Sequence, residues 1–153
     1  MSFSIRAYEP ADHIGVSRLI EDVLAEFGFK PSMGGLERDL AELRERYGGT
    51  RAGFWVATRA DAVIGTVAVR PKDSLTCELK RLYVRADFRG YGLGQALYEQ
   101  AESFARAAGY SRIFLDSSRR FGKAHRLYER NGFLLLSQLH NEWEDNEYEK
   151  HLT

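Results

Sequence analysis

The most constraining feature of this chain is a glycine-rich turn, Arg89-Gly90-Tyr91-Gly92-Leu93-Gly94, set between a strand-like run and a helix-like one. Before it lies Glu78-Leu79-Lys80-Arg81-Leu82-Tyr83-Val84; after it Leu93, Ala96, Leu97, Ala101, Phe104, Ala105 and Ala108 recur at helical spacing. Glycines at 90, 92 and 94 let the backbone turn tightly and approach a ligand, while the first helical N–H groups stay unpaired at the positive end of the helix. Such a loop is an anion cradle that suits a pyrophosphate, and the helix dipole adds about 0.3–1 kcal/mol. Close packing of backbone is the competing reason for glycine here. The two common nucleotide loops fail in detail: the glycines alternate instead of following Gly-x-Gly-x-x-Gly, and no Gly-Lys-Ser/Thr is present.

A length of 153 residues matches one ordinary domain, residues 1–153, with no linker or internal repeat. A composition that is 44% hydrophobic and 12% aromatic excludes wholesale disorder. With 22 Lys plus Arg against 22 Asp plus Glu, no basic excess draws the chain to nucleic acid or to an anionic membrane. Cys77 has no intrachain disulfide partner, and His13, His125, His140 and His151 are scattered without metal-ligand spacing, which points to a cytoplasmic protein with no metal. The longest apolar run, residues 62–69, is too short to span a bilayer, and no secretory leader opens the chain.

Residues 3–8 read as an opening strand, and Asp12 as the cap of a helix carrying Val16, Leu19, Ile20, Val23, Leu24 and Phe27. After a turn-rich segment at 28–35, Leu36, Leu40, Leu43 and Tyr47 mark a second helix. Runs 54–58 and 63–69 form a hairpin that lacks the Asn-Gly signature, and 77–84 is a third strand. Downstream of the glycine loop, 113–115 is a buried strand and a helix over 123–130 stops at Asn131-Gly132. Residues 133–137 and 148–152 close the chain as strands around an acidic segment, 140–147.

The strand ending Leu82-Tyr83-Val84, followed by Arg89, Gly92 and Gly94, resembles the signature of the GNAT superfamily of N-acetyltransferases, Arg/Gln-x-x-Gly-x-Gly/Ala. Ala124-His125-Arg126-Leu127-Tyr128-Glu129-Arg130-Asn131-Gly132-Phe133 is similar to that family's Ala-x-x-Leu-Tyr-x-x-x-Gly-Phe element, in the expected order and spacing. The resemblance is specific over residues 76–133 and looser elsewhere. Two positions depart: Phe121 stands where the family often has a cofactor-contacting Asn, and Ala86 where a proline is frequent.

The resemblance implies a single-domain GNAT fold of α/β (α+β) class, a mixed, mostly antiparallel sheet with splayed central strands flanked by about four helices. It implies acetyl-CoA as cosubstrate. The pantetheine arm would lie on the main chain of Leu82, Tyr83 and Val84. The pyrophosphate would rest on the amides of Arg89, Gly90, Tyr91, Gly92, Leu93 and Gly94, with Gln95 opening the helix and Arg89 as countercharge. Tyr128 resembles the family's general acid, able to protonate the departing thiolate. Glu78 is the candidate base, because carboxylates on this strand serve so in some relatives. Strict alternation groups Glu78 with Lys80 and Leu82, opposite Leu79, Arg81 and Tyr83.

Other residues carry plainer expectations. Cys77 is a small buried residue, His125 sits exposed on its helix, and Arg119-Arg120 form an exposed basic loop, with a contact to the cofactor's adenosine phosphates as the alternative. The implied activity is acetyl transfer by direct attack of an amine acceptor. The alternatives are a catalytically silent CoA-binding or regulatory module and a transferase of longer acyl groups. Small molecule, amino acid and protein amine all stay open as acceptor, and so does a homodimer. Glu142, Glu144, Asp145 and Glu147 around Trp143 point to a cationic acceptor if that segment borders the cleft.

Overall fold

A two-residue turn, Ala60-Asp61, joins strands β2 (Gly53–Arg59) and β3 (Ala62–Pro71). Both residues have positive φ, 49° and 65°, the mirror-image turn whose twist matches the right-handed twist of paired strands. Arg59 and Ala62 pair with each other, so the hairpin is tighter than the four-residue connection expected from sequence.

The computed structural model describes residues 1–29, 47, 49–141 and 144–153. In chain order the remaining elements are β1 (Ser4–Ala7), α1 (His13–Glu26), β4 (Thr76–Val84), α2 (Leu93–Ala107), β5 (Arg112–Ser118), α3 (Gly122–Arg130), β6 (Leu134–Gln138) and β7 (Asp145–His151). The strands form one seven-stranded sheet in the order β1-β2-β3-β4-β5-β7-β6. Every neighbouring pair is antiparallel except β4 and β5, which run parallel. The second helix expected over Leu36 to Tyr47 lies outside the described residues apart from Tyr47, which is buried. No described helix is long and apolar enough to cross a membrane.

Each face of the sheet has its own core. Val16, Leu19, Ile20, Val23 and Leu24, one stripe of α1, pack on Phe54, Val56 and Ala68. Leu93, Leu97, Ala101 and Ala105 of α2 and Tyr128 of α3 pack on the opposite face with Val67, Leu79, Ile113, Leu115 and Tyr148. Cys77 is fully buried in this second core, as its size and apolarity suggest, and burial pushes its thiol up to about 12.

Two expectations are corrected. Asp12 does not cap α1: its carboxylate accepts both Arg6 Nη1 and Nη2 at 2.8 Å and the Glu9 N–H at 2.8 Å, closing a short 3-10 turn ahead of the helix. The paired guanidinium holds this carboxyl below its ordinary range. His125 is buried, not exposed, because it stands one helical turn before Tyr128 and shares that residue's inward stripe. Its ring packs 5.4 Å from Tyr148 and Nδ1 lies 3.5 Å from Asn146 Nδ2, while burial lowers its pKa below the usual histidine value.

Candidate active site

Strands β4 and β5 stay in register for only three pairs, Thr76↔Arg112, Cys77↔Ile113 and Glu78↔Phe114. Beyond Glu78 they part, because β4 continues to Val84 on the ladder of β3 while β5 continues to Ser118 on the ladder of β7. The sheet is therefore split at its centre, and β4 past Glu78 has no ladder partner on that side among the described residues.

A bulge sits on the edge of the split. Thr66 pairs with Tyr83 but Ala68 with Lys80, so β4 holds one residue more than β3 across this interval. Arg81 absorbs it at φ 56°, and its carbonyl accepts the Thr66 hydroxyl at 2.7 Å. The extra residue reverses the side-chain alternation: Tyr83 packs with the α1 core, whereas Leu82 and Val84 join Leu79 in the α2 core. The grouping of Leu82 with Glu78 and Lys80 is corrected accordingly.

The split joins two clefts. One, of about 470 Å³, is bordered by Leu82, Tyr83, Val84, Arg89, Gly90, Gly92, Leu93, Gly94 and Gln95. The other, of about 350 Å³, contains Lys80, Asp116, Asp145 and Tyr128. Leu82, Tyr83, Phe121 and Ala124 line both. Phe121, at the position where the family often has asparagine, stacks instead among aromatics, 4.8 Å from Phe27, 5.5 Å from Phe29 and 6.0 Å from Tyr83.

Gly90 and Gly92 have φ of 85° and 81°, and a Cβ at either would meet no atom within 4 Å. Glycine is demanded there by torsion and not by crowding. Gly92 precedes α2, and the first bond of the helix runs from Ala96 N–H to Gly92 O at 3.1 Å, so the amides of 93–95 fall ahead of the helical ladder. Tyr91 alone among the expected cradle residues borders neither cleft and is 60% exposed.

Arg89 is committed within the protein. Its guanidinium pairs with Glu26 on α1 and its Nε donates to Val84 O at 3.0 Å, while Arg85 pairs with Asp22 one turn earlier at 2.9 Å. Gln95 exchanges side-chain hydrogen bonds with Asn131, at 2.9 and 2.8 Å, which locks α2 to the end of α3. Lys123 and Arg130 are further cations on the wall of the larger cleft. Their seven-residue spacing along α3, one helical face, is the signal by which the sequence marks them. Arg119 and Arg120 border neither cleft. Arg119 holds the carbonyls of Glu144 and Leu139, and Arg120 donates to Gly28 O at 3.2 Å over the ring of Phe29.

Tyr128 is buried between Tyr148 and Phe133, with ring centroids at 5.9 and 5.8 Å. Burial raises its pKa well above that of a free phenol, and the negative charge of Asp116 pushes it the same way, so it keeps its proton near neutral pH. Glu78 stands at the closed end of the split, where Arg70 Nε meets its Oε1 at 3.0 Å, and it lines neither cleft. The carboxylates of the smaller cleft are Asp116, with Lys80 Nζ 4.0 Å away, and Asp145. Within the acidic segment, Glu147 accepts the Ser137 hydroxyl, and Glu142 and Trp143 lie outside the described residues.

Residues 18–133 match the model of the acetyltransferase (GNAT) family. The chain is 33% identical over 127 residues to a Schizosaccharomyces pombe protein described as an uncharacterized N-acetyltransferase, covering 81% of this chain and 77% of that one. Its fold is similar to that of an acetyltransferase from Streptococcus agalactiae, at a TM-score of 0.84, 26% identity and 98% of both chains. An N-acetyltransferase from Thermoplasma acidophilum, solved in complex with coenzyme A, shares the fold at a TM-score of 0.77 and 20% identity, over 99% of this chain and 100% of that one. With a family match spanning most of its length, the chain belongs to the GNAT family of acetyltransferases and is an acetyl-CoA-dependent N-acetyltransferase.

Proposed function

We propose that this enzyme transfers the acetyl group of acetyl-CoA to an amine by direct attack, with no acetylated protein intermediate. The observation that carries the reading is the central split of the sheet, which joins the cleft at the glycine loop to the cleft holding Tyr128. A thioester threaded through that opening meets an amine from the other side. The amides at 89–95 hold the pyrophosphate, Lys123 and Arg130 add positive charge, and the main chain of Leu82, Tyr83 and Val84 offers ladder groups to the pantetheine amides. Coenzyme A in the similarly folded Thermoplasma acidophilum protein supports this side of the assignment.

The chemistry follows from the groups present. The amine nitrogen attacks the thioester carbonyl, a C–N bond forms, the C–S bond breaks, and the Tyr128 hydroxyl gives its proton to the sulfur. Burial keeps this phenol in its protonated form, so it has a proton to give and no free phenolate with which to act as a base. Cys77 is no nucleophile, because its thiol is buried and stays protonated.

The test is to incubate the protein with acetyl-, propionyl- and longer acyl-CoAs and a broad amine panel, following free thiol and product mass. Thiol release matched one for one by acetamide is expected. Acetyl-CoA binding without amide formation for any amine would instead leave a silent CoA-binding module.

A further inference from the structure

We propose that Asp145 takes the proton from the acceptor's ammonium group, that Asp116 tunes it from the neighbouring strand, and that the acceptor is an amine that arrives protonated. The inference rests on the acetyl-transfer reading above. An ordinary aliphatic amine enters as R–NH₃⁺ and has no lone pair to attack with, so one proton must leave before the C–N bond forms.

Position selects the carboxylate. Asp116 and Asp145 are the only Asp or Glu among the described residues lining the cleft that holds Tyr128. Ser118 pairs with Asp145 and Asp116 with Glu147, so Asp116, Ser118, Asp145 and Glu147 project from one face of the β5–β7 ladder into and beside the cleft. Glu78, the carboxylate that strand position alone suggests, is held by Arg70 outside it.

The surroundings then separate the two aspartates. Asp116 is 35% exposed, with Lys80 Nζ 4.0 Å away, so its charge is partly matched. Asp145 holds a proton more readily than an ordinary aspartate: its loss of water leads, Asp116 and Glu147 add negative charge, and these outweigh Lys80 and the Asn141 amide. Arg81 and Tyr83 of β4 and Tyr128 of α3 complete the groups, among the described residues, that line this cleft and carry charge or titrate.

The proton count closes. R–NH₃⁺ gives one proton to the Asp145 carboxylate, and the neutral amine attacks. Tyr128 protonates the sulfur as the C–S bond breaks, and the second N–H proton restores the phenol. Asp145 then releases its proton to water, leaving amide, CoA thiol and one H⁺.

The experiment measures kcat/KM against pH for the parent, Asp145→Asn, Asp116→Asn and Glu78→Gln, using an amine acetylated by the parent. Thermal melts and acetyl-CoA affinity are checked on each variant. For Asp145→Asn the expected result is a loss of about 10²- to 10⁴-fold at neutral pH that shrinks as rising pH supplies free amine, with acetyl-CoA affinity unchanged. Asp116→Asn moves the acid limb to lower pH, because it removes a charge that raises Asp145. Glu78→Gln leaves the limb in place. Parental rate and acid limb in a folded Asp145→Asn overturns the assignment. If that variant does not fold, an acid limb unmoved by Asp116→Asn, or abolished by Glu78→Gln, overturns it instead. A parent that acetylates no amine removes the acetyl-transfer reading and this one together, an outcome distinct from an active parent matched by Asp145→Asn.

Discussion

Arg89 and Glu26 form a two-pronged ion pair, with Nη2 2.9 Å from Oε1, that ties the glycine loop to the last turn of α1. The arginine expected to face a pyrophosphate thus already spends its fork on a carboxylate. Both side chains are about a third exposed, 31% and 38%, so the pair stabilises the fold by no more than about 1 kcal/mol. Glu26→Gln frees the guanidinium at little expense to the fold. Acetyl-CoA affinity should rise up to about fivefold by calorimetry, with a melting temperature close to the parent's. An unchanged affinity would confine Arg89 to bracing the loop.

The two glycines of the signature should behave differently. Gly92 sits at φ 81°, where a β-branched residue is strained, so Gly92→Val should cost about 1–2 kcal/mol of stability and weaken acetyl-CoA by turning the helix-start amides. A Cβ on Gly94 meets Leu127 Cδ1 at 3.5 Å and Val84 Cγ2 at 4.0 Å, both ordinary contacts, so Gly94→Ala should melt like the parent. Calorimetry on Gly94→Ala then isolates the close approach of the ligand to backbone. Full affinity in that variant would move the pyrophosphate away from this glycine.

The glycine loop, the α2 stripe and the Gly-Phe element are legible from sequence because each is a local pattern, decided by residues within a turn or two of one another. The bulge at Arg81 is not, since it arises from how β4 fits against β3, and nothing in Lys80-Arg81-Leu82 announces a positive φ. The same distinction separates Glu78 from Asp145. Glu78 is conspicuous within its strand, yet its pairing with Arg70 comes from across the ladder, and Asp116 and Asp145 are brought together through β5–β7 pairing. His125 was within reach, because the spacing that places Tyr128 inward also places His125 inward.

Asp12 links stability to acidity. Its carboxyl is held below the ordinary aspartate value by Arg6, so the stabilisation is complete above that ordinary value and is lost as pH falls through the lower folded-state value. The side chain of Arg6 is 40% exposed and water screens the pair, so Asp12→Asn should lower stability by about 1 kcal/mol at neutral pH. Urea unfolding at a series of pH values should show the gap between parent and variant closing in acid. A gap independent of pH would mean that the ion pair contributes nothing.

Cys77 should be chemically silent in the native protein. Its thiol is fully buried and pushed up to about 12, so almost no thiolate exists near neutral pH. Iodoacetamide should leave both the mass and the transferase activity of the folded enzyme unchanged, and should alkylate the thiol once denaturant is added. Rapid native alkylation with loss of activity would contradict direct attack.

Tyr128→Phe keeps the ring between Tyr148 and Phe133 and deletes only the hydroxyl that we propose protonates the departing sulfur. The direct measurement is a single-turnover rate with enzyme in excess over acetyl-CoA, which reads the chemical step even where product release limits steady-state turnover. The account predicts a fall of at least about tenfold, and up to about 10⁴-fold, with acetyl-CoA affinity and melting temperature unchanged. A folded Tyr128→Phe enzyme that binds acetyl-CoA and completes the turnover at the parental rate would contradict it.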